Sequence, residues 1–423
     1  MVSLVTGVLV LAMGMPIVFV LGLVAAAYLY TRDMPFVLLA QRLFVGLDSF
    51  VLLAIPFYVL MGNIMTQGKV ADALVTWAKT IVGRIRGGLA VVNILVSIVF
   101  AGISGSASAD TSAFATVLIP PMDKEKYDRS FSCAVTISSS IIAPIIPPSI
   151  IMVVYAVVAE QSIAALFLAG VIPGLLMGGA DIVIALWTSY RRKYSRADRR
   201  ATLREILTQT KDAFLALLAP AIILGGILTG VMTPTEAGVV AVAYSLVLSM
   251  VYYRALRLRD LPEILWKTLL VSAAAYLLVG MSAISAWALA AEQLPQAIAA
   301  FILSITDSKV LILISINLML LLVGCLMEAI AAIILFVPIF LPLVVSLGVD
   351  PVHFGLIVCL NLAIGLITPP VGGCLFICSA VTKTPMDVII RATIPFLVAN
   401  FVILMAMTFM PDLVMWLPRL VLR

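Results

Sequence analysis

Residues 87–122 read GGLAVVNILVSIVFAGISGSASADTSAFATVLIPPM, and residues 131–159 read FSCAVTISSSIIAPIIPPSIIMVVYAVVA. Asp110 is the only charged side chain in the first stretch, which is too long for one bilayer crossing of about 20 residues and too short for two crossings plus a turn. That length predicts a hairpin that enters the membrane and turns back. Its Gly/Ser-rich tip, Gly102–Asp110 (GISGSASAD), cannot lie in hydrocarbon with unpaired N–H and C=O groups, so it must be packed in protein or face water. The second stretch could span, but it carries Pro144, Pro147 and Pro148 near its middle, in Ala143–Ser149 (APIIPPS). Each proline removes a donor and clashes with the preceding turn, so carbonyls upstream of the break lose their helical partners. Those oxygens need something to bind.

The pattern has an echo. An offset of 222 residues carries Gly102 to Gly324, Pro120 to Pro342, Pro147 and Pro148 to Pro369 and Pro370, and Ile172-Pro173 to Ile394-Pro395, with no gap. Four landmarks in one register are two copies of one design.

Composition sets the medium. With 63% hydrophobic and only 11% charged residues, the 423-residue chain has too little polar surface to cover a soluble core. Its charges collect between apolar runs, as spanning helices require. The net charge of +5 comes mainly from two loops, one with Arg191, Arg192, Lys193, Arg196, Arg199, Arg200, Arg204 and Lys211, the other with Arg254, Arg257, Arg259 and Lys267. Such loops beside spans mark the cytoplasmic side, and without interleaved aromatic residues they do not suggest nucleic-acid binding. The cysteines, Cys133, Cys325, Cys359, Cys374 and Cys378, lie in apolar runs and suggest packing rather than a disulfide framework or a metal cluster. Val2–Tyr30 is too long for a signal peptide and reads as a retained anchor.

Along the chain, residues 1–86 are expected to supply scaffold spans (Val2–Tyr30, Phe50–Met65) and a first amphipathic arm, Thr66–Arg86. Residues 87–190 form the first transport repeat, with hairpin, broken span and a further span near Ala164–Ser189. Residues 191–308 hold the basic loop, scaffold spans at Phe214–Val231, Ala237–Tyr253 and Leu269–Ala291, and a second arm, Gln296–Thr306. Residues 309–423 repeat the hairpin, with a tip at Gly324–Glu328 (GCLME), the broken span, with its break at Gly365–Gly373 (GLITPPVGG), and a last span, Thr384–Phe409. Arg84, Arg86, Lys124, Lys126 and Arg129 flank the first hairpin, whereas Asp307, Lys309 and Asp350 flank the second. By the positive-inside bias the two open to opposite sides, so the repeats are expected to be inverted. Arg32 and Arg42 do not follow this count, which leaves the sides of the termini open.

The fold class expected is therefore all-α and polytopic, with inverted repeats that each hold a re-entrant helical hairpin and a Pro-broken helix. In secondary transporters such repeats meet near the bilayer midplane, where half-helix N-termini face anionic groups and freed carbonyls hold the coupling ion. One ion site per repeat is expected. The first draws on Ser104, Gly105, Ser106 and Ser108 with Ser138, Ser139, Ser140 and carbonyls before Pro147; the second on Gly324, Gly365, Thr368, Pro369 and Gly372. Hydroxyls and carbonyls suit Na⁺, and no other cofactor is expected. Candidate substrate contacts are Asp110, Pro148, Ser149, Glu328 and Pro370, with Arg42 either an anion contact or an interfacial anchor. Asp110 and Glu328 could bind, or could cap the second arm of their hairpins.

FAGISGSASAD, LIPPM, SSIIAPIIPPSI, GCLMEAIAAIILFVPIFLPL, GVDPVHFGLIVCLNLAIGLITPPVGG and AQRLFVGLDSFVLLAIPFYVLMGNIM closely resemble the large membrane subunit of tripartite ATP-independent periplasmic (TRAP) transporters, nearly end to end. The resemblance implies a multi-pass protein of the bacterial cytoplasmic (inner) membrane, an elevator-type importer of the ion transporter superfamily type, coupled to Na⁺. It implies a separate small four-helix membrane subunit and a periplasmic binding protein that delivers an organic acid.

Two rivals remain at this level. A stand-alone Na⁺/dicarboxylate carrier would use similar hairpins without a binding protein. An intramembrane serine protease would use Gly102-Ile103-Ser104-Gly105 as a GxSG motif, but it needs a histidine within reach, and His353, the only one, is expected near the outer surface while Ser104 lies deep. The nearest Walker-like string, Gly62–Val70, has the wrong glycine spacing and lacks the Ser or Thr for Mg²⁺, so an ATP-driven pump is excluded. The amphipathic arms are expected to link a moving body of hairpins and broken spans to a fixed scaffold.

Overall fold

The computed structural model describes residues 15, 17–82, 85–194, 202–293, 306 and 308–422, and all regular structure among them is helical. Eight helices among the described residues are long and apolar enough to cross a bilayer. The chain is an all-α polytopic membrane protein.

The first hairpin runs along Gly88–Ser104 and returns along Ala107–Val117 and Ile119–Lys124. Its turn is tighter than the sequence suggests, since Gly102, Ile103 and Ser104 are still helical and only Gly105 and Ser106 leave the helix. Gly105 sits at φ +60°, where a side chain would be strained, and its N–H donates to Ala101 O at 3.3 Å. Ser106 then opens the second arm, its hydroxyl accepting the Ala109 N–H at 3.4 Å. The polar tip thus supplies both the stop and the restart signal.

The first broken span consists of Arg129–Ser140 and Ile150–Val158. Between them Ser149 restarts the helix by accepting the Met152 N–H at 3.3 Å, and its hydroxyl donates to Pro144 O at 2.6 Å. One carbonyl of the proline break is therefore claimed by a side chain rather than left for a ligand.

The 222-residue offset carries these elements onto later ones. The second hairpin is Lys309–Leu326 and Ala329–Ser346, the second broken span is Pro351–Gly365 and Gly373–Thr382, and Ile163–Arg191 corresponds to Met386–Phe409. The Pro147-Pro148 and Pro369-Pro370 peptide bonds are both cis. The helix-start chemistry differs between copies: Glu328 accepts the Ile330 N–H at 3.0 Å in place of a serine, and Asp350 accepts from Val352 and His353 at 2.8 and 3.2 Å. The breaks differ in exposure as well, with Pro147 and Pro148 buried but Pro370 and Val371 exposed.

The simple spans pack on one another, Ala54–Gln67 against Pro234–Val247 and Leu261–Ala291, and Leu203–Leu228 against Pro234–Val247. The amphipathic helix Val70–Val82 buries Val70, Ala71, Leu74, Val75, Ala78 and Val82, one face at helical spacing. The helix packs against both Leu203–Leu228 and the first hairpin's Gly88–Ser104. The expected second arm, Gln296–Thr306, lies outside the described residues apart from Thr306, as do residues 2–14 of the first span and 195–200 of the basic loop.

Candidate substrate and ion site at the hairpin tips

Both hairpin tips open onto one cavity of about 110 Å³. Gly105, Ser106, Ala107 and Ser108 of the first tip and Glu328, Ala329 and Ile330 of the second both line it. Pro144, Ile150 and Ile151 of the first break and Ala363 and Leu366 of the second complete it. Ile55 and Val59 of Ala54–Gln67 and Val271 and Ala275 of Leu261–Ala291 also line it. Four segments that the sequence singled out separately thus meet at one place.

Each tip is seated on the break of its own repeat. A Cβ on Gly105 would stand 2.8 Å from Pro148 O, and one on Gly102 3.4 Å from Pro147 O, so small residues let the tip approach the freed carbonyls. In the second repeat Gly365 touches Gly324 backbone to backbone, and the Gly372 N–H donates to Cys325 O at 3.0 Å. A Cβ on Gly372 would stand 3.0 Å from Thr368 O, so Gly365, Thr368, Pro369 and Gly372 form one turn against which Gly324 of the hairpin packs. Thr368 directs its hydroxyl to Ile364 O at 2.8 Å.

Other expected site residues are placed elsewhere. The Ser140 hydroxyl donates within its own helix to Thr136 O at 2.7 Å, while Ser139 accepts from Ser97 at 2.8 Å beside an Asn93–Thr136 pair, and these last two contacts tie the broken span to Gly88–Ser104 of the first hairpin. Arg42 stacks over the Trp287 ring, 5.0 Å from its centroid, where helix Val37–Leu47 packs on Leu261–Ala291, and it does not line the cavity between the tips. Asp110 is fully buried on the face of its arm turned away from Ser108 and does not line the cavity. Ser106, not Asp110, caps that arm, whereas Glu328 does cap its own.

Sequence reasoning missed a polar cluster outside the tips. Asp181, fully buried in Ile163–Arg191, accepts the Ser138 hydroxyl at 3.0 Å from each carboxylate oxygen, and Asn400 Nδ2 approaches at 3.4 Å. Asp181 is the only charge between Ala164 and Ser189, and that isolation was the available signal. His353, the histidine required by a serine protease, is engaged through Nε2 with Met407 O at 2.8 Å.

Residues 4–413 match the family model of the tripartite ATP-independent periplasmic transporter, DctM component. The chain is 41% identical to the sialic acid TRAP transporter large permease protein SiaM of Vibrio cholerae, over 97% of this chain and 96% of that one. It is 40% identical to the C4-dicarboxylate TRAP transporter large permease protein DctM of Pseudomonas aeruginosa, over 90% and 89% of the two chains. Among solved structures, the Alcanivorax borkumensis YdaH transporter superposes with a TM-score of 0.62 at 14% identity, covering 91% of this chain and 88% of that one, a likeness of fold. The chain belongs to the tripartite ATP-independent periplasmic transporter family as a DctM component, a large permease subunit and not an enzyme, and is a multi-pass protein of the bacterial inner membrane.

Proposed function

We propose that this subunit takes up a small organic acid by Na⁺ coupling, with anion and cation held together in the cavity between the hairpin tips. The meeting of both tips over one cavity is the observation that carries the reading. Half-helices start there at Ser106, Ser149 and Glu328, so their N-terminal dipoles favour a carboxylate, while carbonyls of the two breaks lie behind them for a cation. Ser106, Ser108 and Glu328 are the polar side chains of an otherwise apolar lining that holds no basic side chain, so a cation would offset the charge of an incoming anion.

The relatives named for sialic acid and C4-dicarboxylates support an organic acid as the substrate. Their membership in tripartite systems supports a separate small membrane subunit and a periplasmic binding protein as partners. The helices that enclose the tips would move as one body against the simple spans, with Val70–Val82 as a connecting arm and the two repeats inverted in the membrane. Uptake of labelled C4-dicarboxylate and sialic acid into proteoliposomes carrying this chain, its small subunit and its binding protein tests the reading. Transport is expected with an inward Na⁺ gradient and absent in Na⁺-free buffer with a proton gradient; the reverse pattern overturns it. Transport by this chain alone would instead indicate a stand-alone carrier.

A further inference from the structure

The cavity between the tips is small and unevenly lined. Its volume of about 110 Å³ is little more than a third of the roughly 300 Å³ at which pockets for drug-sized ligands begin. Its polar side chains, Ser106, Ser108 and Glu328, all belong to the tips. The simple spans add Ile55 and Val59 from Ala54–Gln67 and Val271 and Ala275 from Leu261–Ala291, none of which has a hydrogen-bonding atom in its side chain. The members of each pair are four residues apart, so each helix turns an apolar ridge toward the cavity. The polar neighbours in sequence are engaged elsewhere. The Tyr58 hydroxyl donates to Pro234 O at 2.9 Å and the Tyr276 hydroxyl to Leu52 O at 3.1 Å, while Ser272 does not line the cavity.

Taking this cavity as the place where the transported acid is held, we propose that the acid is compact and sparsely hydroxylated, with its carboxylate at the tips and its carbon body against Ile55, Val59, Val271 and Ala275. The carboxylate is drawn to the half-helices that start at Ser106 and Ser149, whose free N–H groups and dipoles favour an anion. The carbon body meets only the apolar ridges. A hydroxyl placed there gives up its water without gaining a partner, and an apolar wall discriminates against one such group by up to about a hundredfold. A polyhydroxylated sugar acid carries several and also exceeds the volume. Extra methylenes meet the same ridges as a steric limit. The four side chains of the simple spans thus determine specificity, acting on the part of the substrate that the tips do not hold.

Calorimetric titration of single acids into the purified full-length chain in lipid nanodiscs, with saturating Na⁺ and no binding protein to sort the acids, tests this. The probes are succinate with tartrate and propionate with glycerate, pairs that share a carbon skeleton and differ in hydroxyl groups, together with adipate and sialic acid. Succinate or propionate is expected to bind most tightly, with its hydroxylated counterpart and adipate each weaker by about tenfold or more, and sialic acid weaker still. Val59→Ala deepens the cavity and is expected to improve adipate about threefold or more relative to succinate; the wild-type series decides alone if that variant does not fold. A hydroxylated acid or sialic acid bound as tightly as succinate and propionate overturns this inference and leaves the cavity as the acid's site. An unchanged adipate ratio in Val59→Ala overturns the role given to the simple spans. A wild-type chain that binds none of these acids in Na⁺ overturns both readings.

Discussion

Gly365 lies directly on Gly324: a methyl group added to Gly365 would stand 2.5 Å from the Gly324 carbonyl carbon. Both partners are backbone, so neither can yield as a flexible side chain would. Gly365→Ala is therefore expected to destabilise the chain by about 1–3 kcal/mol and to cut uptake at least tenfold, through overpacking at the second tip. Gly179 is the control, since a Cβ there meets nothing within 4 Å. Gly179→Ala should be neutral or stabilising by up to about 1 kcal/mol. Thermal unfolding and uptake assays on both variants check the contrast; equal behaviour would show that the contact does not govern the site.

Asp181 joins the first broken span to the last long helix through Ser138 and Asn400. Removing it leaves two buried polar side chains short of a partner, so Asp181→Ala is expected to cost about 2–3 kcal/mol. Asp181→Asn keeps the shape and an acceptor, and should cost less than half as much. Chemical unfolding of the two variants separates these outcomes, and similar losses would mean that shape rather than hydrogen bonding matters there.

Glu328 both faces the cavity and caps the second arm. Glu328→Gln retains an oxygen for the Ile330 amide, so its stability should stay within about 0.5 kcal/mol of wild type, whereas Glu328→Ala should lose about 1 kcal/mol with the cap. Under the proposed function the glutamine variant folds normally but shifts the KM for substrate or the sodium dependence of uptake. Unchanged transport kinetics would reduce Glu328 to a helix cap.

Beyond the end of Ile163–Arg191, Tyr194 stacks on Tyr127 with ring centroids 4.5 Å apart, and the Tyr194 hydroxyl donates to Asp128, which also pairs with Arg192. Burial raises the pKa of both Tyr127 and Tyr194 above 10.0. A raised folded-state pKa contributes stability that is complete below the unfolded value and fades as pH rises through the folded one. Alkaline titration should therefore weaken this junction only above pH 10, and Tyr127→Phe should remove part of that slope. A slope unaltered by the substitution would assign it to other groups.

Much of this was legible because backbone chemistry is local. The paired prolines Pro147-Pro148 and Pro369-Pro370 mark the helix breaks, whereas the single Pro173, Pro220 and Pro395 sit inside continuous helices; Ser106 and Ser149 are helix starters by residue type, and the 222-residue offset needed only alignment of such marks. Side-chain destinations were less legible. Asp110 follows Ser108 by two residues, about 200° around a helix, so one motif places Ser108 on the cavity and Asp110 in the buried interior beside it. Asp181 and Asn400 are 219 residues apart, and the Arg42–Trp287 stack spans a similar separation; no local pattern announces such pairs.

The central claim is that one substrate cavity is walled by both tips, and thiol protection tests it most directly. In a chain whose five native cysteines have been replaced, Ser106→Cys and Ala329→Cys are each exposed to a maleimide with and without substrate and Na⁺. The account predicts that substrate and Na⁺ together slow labelling at both positions at least tenfold. Protection at only one position, or at neither, would contradict it.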